Sequence, residues 1–350
     1  MTQQDHFLII GGGVGGLCLA YHLLERGARV TLIDRDSNHS SAVAAGLINP
    51  LVFRRMTKSW RADELIPFAG NFYRNVETQT NTSFFHPIVI RRFFSSDQER
   101  GFWMDKQHEQ AFTAYMEPLT DDDLNYNVFR LKNDFGSGRV LNASWVNTPV
   151  FLSALRKLIS ERAEVITKEF SYDDVDPVTG SYHNTRYTGI IFATGFENKL
   201  NAWFASFPVQ TTKGEVLTIK HSALPEDFSV NRKCFVLPIG NSSFRIGATY
   251  AWDEDKPIKT PEGKKEILEK LTALTDEIPE VIDHLAGIRP TSPDRRPIIG
   301  RHPQFKHLYL FNGLGTKGYM IAPLLSNEFA GYLNGENDLS PEVDLIRFLK

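Results

Sequence analysis

Gly11, Gly13 and Gly16 stand at GxGxxG spacing in the run Gly11-Gly12-Gly13-Val14-Gly15-Gly16, and Asp34 follows 18 residues after Gly16. Residues of these types at this spacing can hold a dinucleotide. Gly11 allows a tight turn, Gly13 lets backbone N–H groups approach a pyrophosphate, and Gly16 lets the helix that Val14 opens pack close to a strand. Asp34 can accept two ribose hydroxyls of an adenosine, and its charge repels a 2′-phosphate. The spacing suits NAD and FAD alike. A second GxGxxG run, Gly313, Gly315 and Gly318 around Thr316 and Lys317, has no strand with a terminal acid after it. It reads either as an electropositive cradle for an anion or an electron-rich ring, or as a bend before a packing helix.

The elements that must position these residues follow from the hydrophobic pattern. Phe7–Ile10 and Val30–Ile33 predict buried strands, with a helix from Val14 to about Arg26 between them. Phe7 to Leu24 carries no formal charge, but the five glycines at 11–16 argue against a membrane span. No basic n-region or small-residue cleavage site is present, which predicts no secretory signal. Further along come a predicted helix from Ala62 to Val76, a strand over Phe84–Phe94, a polar segment with Asp121, Asp122 and Asp123, and a turn around Gly136-Ser137-Gly138. A helix is expected to start at Thr148 as N-cap, with Pro149 as its first residue. Ala163–Ile166 and Gly189–Phe192 read as strands, the second running into Ala193-Thr194-Gly195. Leu308–Phe311 reads as a strand before the second glycine run, and the helix after it extends to about Leu333. Pro323 is expected to distort that helix in its early turns.

A chain of 350 residues corresponds to about two domains at roughly 150 each. Its 39 basic and 42 acidic residues leave a net charge of −3, without the basic excess of a dedicated nucleic-acid binder. Two cysteines, Cys18 and Cys234, with no CxxC and no Cys/His cluster, exclude iron–sulfur, zinc and disulfide frameworks, predict no metal site and suit a reducing cytoplasm. No G-x-S-x-G or triad-like His spacing marks a hydrolase.

A longer set of motifs then appears in chain order. The first glycine run is followed by Ala44-Ala45-Gly46-Leu47, Lys213-Gly214-Glu215 and Ile246-Gly247-Ala248-Thr249-Tyr250. Next come Gly287-Ile288-Arg289-Pro290, Asp294, Pro297-Ile298-Ile299-Gly300 and the second glycine run. This ordered set, covering nearly the whole chain, resembles the D-amino-acid oxidase superfamily of FAD enzymes. Its motifs are most similar to those of glycine oxidase and of the FAD domain of the bifunctional enzyme that matures 5-methylaminomethyl-2-thiouridine in tRNA.

The resemblance implies an extended FAD. Its pyrophosphate would rest on Gly11, Gly13, Val14 and Gly16, its ribose on Asp34 with Arg35 beside it, and its adenosine end against Thr194 and Gly195. The isoalloxazine would lie between Ala45-Gly46-Leu47 and the loop of Gly313, Gly315, Thr316, Lys317 and Gly318, whose helix opening would face the edge where reduced flavin gathers negative charge. Some relatives attach the flavin through cysteine. Cys18 and Cys234 fall at neither expected position, so the FAD is expected to be non-covalent. Arg289 matches the arginine that holds a substrate carboxylate bidentately, with a structural pairing to Asp294 or Glu215 as the alternative. Tyr250 would line the pocket or donate to that carboxylate, or else pack in the core. Lys317 would stabilise reduced flavin or reach substrate, or else be solvated. Glycine oxidase carries a tyrosine where Phe235 falls, so a hydroxyl contact is missing there.

The expected fold class is α/β, a Rossmann-like FAD-binding domain over 1–80, 142–208 and 287–350, interrupted by a mixed-sheet α+β substrate domain over 81–141 and 209–286. The implied function is oxidation of the C–N bond of an amine or amino acid, glycine-type or N-substituted glycine, by hydride transfer to flavin N5. Molecular oxygen or another acceptor would take the electrons. A 2-hydroxy-acid oxidase or dehydrogenase and a non-catalytic flavoprotein are the alternatives. A hydroxylase-type monooxygenase fits less well, because Arg289-Pro290 and Asp294 stand where its Gly-Asp segment would be. The basic cluster Arg54, Arg55, Lys58 and Arg61 reads as a solvated face or as a contact for tRNA phosphates, and the methyltransferase part of the tRNA enzyme has no counterpart here.

Overall fold

The computed structural model describes residues 4–37, 39–127 and 130–349. β1 (His6–Ile10), α1 (Val14–Glu25) and β2 (Arg29–Asp34) form the βαβ unit that the fingerprint predicts. β1 runs parallel to β2 from His6 opposite Arg29, and parallel to Gly189–Phe192 from Phe7 opposite Gly189. The sheet has six strands in the order Ile298–Arg301, Leu308–Asn312, Gly189–Phe192, β1, β2 and Glu164–Thr167. Every neighbouring pair is parallel except the first. Such a sheet is covered on both faces, which is why its strands read as unbroken apolar runs. On one side α1 and the helices Ala62–Thr80, Thr148–Ser160 and Gly318–Leu333 share a core with Phe7 and Ile9. On the other, Leu8 and Ile10 pack with Phe192, Phe204 and Tyr182.

The second sheet has nine strands and is mixed. Its long members are Phe85–Phe93, Ser137–Val146, Gln210–Lys220 and Glu280–Thr291. Phe228–Asn231 runs parallel to Phe85–Phe93, while the other pairings are antiparallel. This is the α/β class with a mixed second sheet. The strands Ser137–Val146 and Glu280–Thr291 each run unbroken across an expected domain boundary, at 141/142 and 286/287. A boundary inside a hydrogen-bonded strand has no physical meaning, so we propose to place both at the strand ends.

Three local features add to these expectations or, at Thr148, correct them. Asp121–Leu124 is a short helix whose N-cap Thr120 forms a capping box with Asp123. Asn147, not Thr148, is the N-cap of the next helix, and Pro149 is its second residue; the Thr148 hydroxyl instead donates to the carbonyls of Ala42 and Ala44, 3.1 Å each. The helix Gly318–Leu333 also continues through Pro323. Proline cannot donate to the carbonyl four residues back, that of Tyr319, and the buried Tyr73 hydroxyl donates there instead at 2.6 Å.

α1 and this helix are joined by His22, whose Nε2 lies 3.1 Å from the Pro323 carbonyl oxygen. Burial, aided by nearby Arg26, lowers the imidazole pKa to about 3 from 6.5, so the ring stays neutral and donates. Between these two values the unfolded chain binds a proton that the folded chain does not, so stability must fall as pH drops below 6.5. Denaturant titrations should show a loss of about 2 kcal/mol between pH 7 and pH 5 from this group. His22→Gln keeps an N–H donor without titrating and should flatten that acid limb; an unchanged limb would count against this origin.

Candidate active site

A cavity of about 580 Å³ lies between the two sheets and takes wall residues from both. At one end Gly11, Gly13 and Val14 form its wall at the turn from β1 to α1. A Cβ on Gly16 would stand 1.9 Å from the carbonyl oxygen of Gly11, so only glycine lets the helix begin directly behind the turn. Gly13 is the N-cap of α1 and supplies no side-chain cap. The Gly12 N–H donates to Asp34 Oδ1 and the Val14 N–H to the Ser41 hydroxyl, 3.0 Å each. Asp34 is 9% exposed and also accepts from Arg156 Nη1 at 3.0 Å and from the Asp36 N–H at 3.2 Å. These bonds hold a charged carboxylate on the cavity wall.

Thr194, Gly195, Phe170 and Tyr172 also line the cavity, and Arg35 in its lining pairs with Glu197 and Glu169. The hydroxyl oxygens of Thr194 and Ser37, both cavity residues, are buried and have no hydrogen-bond partner among the described residues. Orphaned hydroxyls on residues that line a cavity suit a polar ligand beside them. Together with the glycine turn, the helix opening and the Asp34 carboxylate, they fit the pyrophosphate and ribose of a dinucleotide. Gly16 and Gly313, expected at the cofactor, stand behind the wall and not in it; a Cβ on Gly313 would stand 3.2 Å from the Ile298 nitrogen.

Further along, Ala45, Gly46 and Leu47 line the cavity, as do Gly315, Thr316, Lys317 and Gly318. The first segment is pinned from behind, because the Ala44 carbonyl accepts from Thr148 and, at 3.3 Å, from Arg245 Nη1. In the second, the helix beginning at Gly318 opens on the cavity without a side-chain cap. Lys317 directs its ammonium to the Asn49 carbonyl at 2.8 Å and to the Ser59 hydroxyl. Burial lowers its pKa to about 8, and no described carboxylate pairs with it.

Arg289 comes from the strand Glu280–Thr291 and reaches across the neighbouring Gln210–Lys220, with Nη1 3.4 Å from the Lys213 carbonyl and 3.3 Å from that of Thr249. Its guanidinium stands 4.7 Å from the Tyr250 ring centroid. The expected alternative pairings are not made: Asp294 accepts from Arg347, while Glu215 accepts from Thr260 and lies 2.7 Å from His284 Nε2. Burial pulls the Arg289 pKa down from 12.5, with the Tyr250 side chain opposing, yet an arginine keeps its charge. Tyr250 is 48% exposed and lines the cavity, so the core-packing alternative for it does not hold. Phe235 is also in the wall. The acids in the cavity wall are Asp34, Glu169 and Glu197, all on the dinucleotide side. Arg289 and Lys317 hold the other end, which therefore suits an anion.

Arg156, Phe170, Tyr172 and Gly214 were not singled out as site residues by sequence reasoning. Arg156 is one of several charged residues on a helix, and no local pattern separates it from them. Gly214 left a trace in the Lys-Gly-Glu motif. In the basic cluster, Arg61 pairs with Glu64 and Glu328 and Lys58 with Asp63, while Arg54 and Arg55 are exposed. Among the described residues no His/Cys/Asp/Glu group could hold a metal, and no helix is long and apolar enough to cross a membrane. Cys18 and Cys234 are both buried and neither lines the cavity.

Fold and site together define a flavoprotein oxidoreductase. The chain belongs to the FAD dependent oxidoreductase family, which it matches over residues 6–331, and it is an enzyme with FAD as cofactor. It is 25% identical to the oxidoreductase YurR of Bacillus subtilis, over 96% of this chain and 97% of the relative. It is 24% identical to the tRNA 5-methylaminomethyl-2-thiouridine biosynthesis bifunctional protein MnmC of Idiomarina loihiensis, over 94% of this chain and 55% of the relative, so it spans about half the length of that protein. The fold is that of the glycine oxidase from Geobacillus kaustophilus, with a TM-score of 0.83 at 18% identity, covering 97% of this chain and 98% of the other.

Two variants test the two ends separately. A Cβ at position 214 would fall 2.0 Å from Arg289 Nη2, so Gly214→Ala should displace the guanidinium while leaving FAD bound. Steady-state kinetics should show a rise in KM of roughly tenfold or more, as each ~1.36 kcal/mol is a factor of ten; an unchanged KM would mean that Arg289 does not meet substrate. Asp34→Asn, which removes charge but little volume, should weaken FAD retention on desalting by about 1.5–3 kcal/mol per lost hydrogen bond. Equal retention would remove Asp34 from the ribose.

Proposed function

We propose that the protein oxidises the C–N bond of an amino acid or N-substituted glycine. Bound FAD supplies the hydride acceptor. The observation that carries the reading is Arg289, a half-buried guanidinium in the cavity wall that touches carbonyls and an aromatic ring and has no described carboxylate partner. A buried cation left in that state is costly unless an anion completes it, and its planar fork matches a carboxylate. With the carboxylate held there, the rest of a small substrate lies against Phe235 and Tyr250. Among the described residues no acid in this part of the cavity would hold the amine protonated, which favours the neutral form whose lone pair assists hydride departure. The Ala45–Leu47 segment and the loop Gly315–Gly318 position the cofactor ring in this reading, and Asp34 with Arg35, Thr194 and Gly195 holds its adenosine end.

Non-covalent attachment is supported by the two thiols, which burial keeps protonated away from the cavity. A small-molecule amine fits the glycine oxidase whose fold the chain shares. Oxygen or another acceptor then removes the electrons.

Anaerobic mixing of the holoenzyme with N-methylglycine, D-amino acids and 2-hydroxy acids reads the assignment directly. Flavin bleaching by an amine and not by the hydroxy acids is expected; the reverse would make the protein a hydroxy-acid oxidase or dehydrogenase, and bleaching by none a non-catalytic flavoprotein. Arg289→Ala should lower kcat/KM about a hundredfold or more, consistent with roughly 3–5 kcal/mol for a broken buried charge pair. Arg289→Lys should recover only part, since it restores charge without the fork. FAD binding should be unaffected; its loss would mark Arg289 as structural.

A further inference from the structure

Some of the large apolar side chains left in solvent stand at the cavity. Val52, Leu200 and Tyr250 are 38%, 61% and 48% exposed, and all three line the cavity. Trp252, 55% exposed, packs on Tyr250 with ring centroids 5.5 Å apart at 56°. An apolar rim at the mouth of a cavity marks where a ligand is met. Arg289 joins this rim to the anion-binding end, because its guanidinium lies against the Tyr250 ring. A carboxylate on Arg289 therefore brings whatever it is attached to alongside Tyr250 and Trp252.

The aromatic pair is held in place. Trp252 sits opposite Thr212, and Ala251 opposite Lys213, on the same strand that supports Arg289. The segment that follows is tied across to the other domain by an ion pair between Asp255 and Lys199, next to Leu200. Two half-exposed rings fixed at the surface form a platform, and a planar ring is the group that stacks or meets such a platform edge-on to most effect.

We propose that the preferred substrate carries a planar ring on a short link from its carboxylate-bearing core, with the ring on Tyr250 and Trp252 at the mouth. The proposal rests on the assignment of Arg289 to a substrate carboxylate. A saturated ring of equal size gains area at this platform but not the aromatic geometry, and a bare amino acid does not extend to Trp252.

Ligands that cannot be oxidised separate this question from the reaction. The FAD holoenzyme is titrated with acetate, phenylacetate and cyclohexylacetate while the flavin absorbance is followed. Phenylacetate is expected to bind about tenfold tighter than acetate, with cyclohexylacetate between them. Trp252→Ala should bring phenylacetate to within about twofold of acetate, and Trp252→Phe should keep most of the gain; both substitutions are at a half-exposed site. Equal affinities for acetate and phenylacetate, or an advantage that survives Trp252→Ala, would overturn the platform. If neither carboxylate perturbs the flavin while N-methylglycine still bleaches it, the carboxylate anchor and the platform both fail and amine oxidation stands. If the ring preference holds but no amine bleaches the flavin, amine oxidation alone fails. The ring's attachment is read by comparing N-benzylglycine with D-phenylalanine in the same bleaching assay, with a preference for either over N-methylglycine expected.

Discussion

The close contact of α1 with the turn before it is the constraint on which the rest of the structure depends. With a Cβ position on Gly16 only 1.9 Å from the Gly11 carbonyl oxygen, any side chain would push the helix away from β1. Because the helix starts where it does, its uncapped N-terminus opens on the cavity and Gly12 can donate to Asp34. The same approach seats His22 on the Pro323 carbonyl, which ties α1 to the closing helix. That helix in turn presents Gly318 to the cavity from the other end. Two helix openings thus face one cavity, and the first of them depends on one missing side chain.

The chemistry of the cavity is a matter of where its charges are compensated. On the dinucleotide side the carboxylates have cationic or N–H partners, as Asp34 has in Arg156 and Gly12. At the other end Arg289 and Lys317 are enclosed and touch neutral oxygens. Carbonyl groups orient a cation without neutralising it, so this end keeps a positive potential in a region of low dielectric. A negatively charged ligand group is held there more strongly than it would be at the surface. The missing side chain at Gly214 serves the same end, since it lets the guanidinium lie flat across the strand.

The supporting shell is built from residues that look ordinary in isolation. Thr148 and Arg245 converge on the Ala44 carbonyl from a helix and a strand distant in sequence. Tyr73 completes the carbonyl that Pro323 leaves free, so a helix-breaking residue is absorbed without a break. Glu215, buried between Thr260 and His284, fixes the opening of the helix Pro261–Leu271 against the second sheet and leaves Arg289 to the cavity. Each is a hydrogen-bond requirement of a buried group met by a partner from elsewhere in the chain.

What the sequence determined by itself was local. The βαβ unit, its glycine turn and the acid ending β2 are set by contacts within about thirty residues, so their spacing is a direct record of steric need. The strand and helix around the second glycine run were legible for the same reason, as was Arg289 once its motif was seen in order with the others. The tertiary structure alone decided which groups meet. Asp34 and Arg156 lie 122 residues apart, Lys317 and Asn49 268 apart. Thr148 read as a cap because its neighbours in sequence suggested one, and the fold gave its hydroxyl to Ala42 and Ala44 instead. The aromatic pair of Tyr250 and Trp252 has no sequence signal, because two rings two residues apart mark a site only when a cavity and a guanidinium lie beside them. Spacing encodes what neighbouring residues must avoid, whereas long-range pairing encodes what distant residues must satisfy, and only the folded chain brings those together.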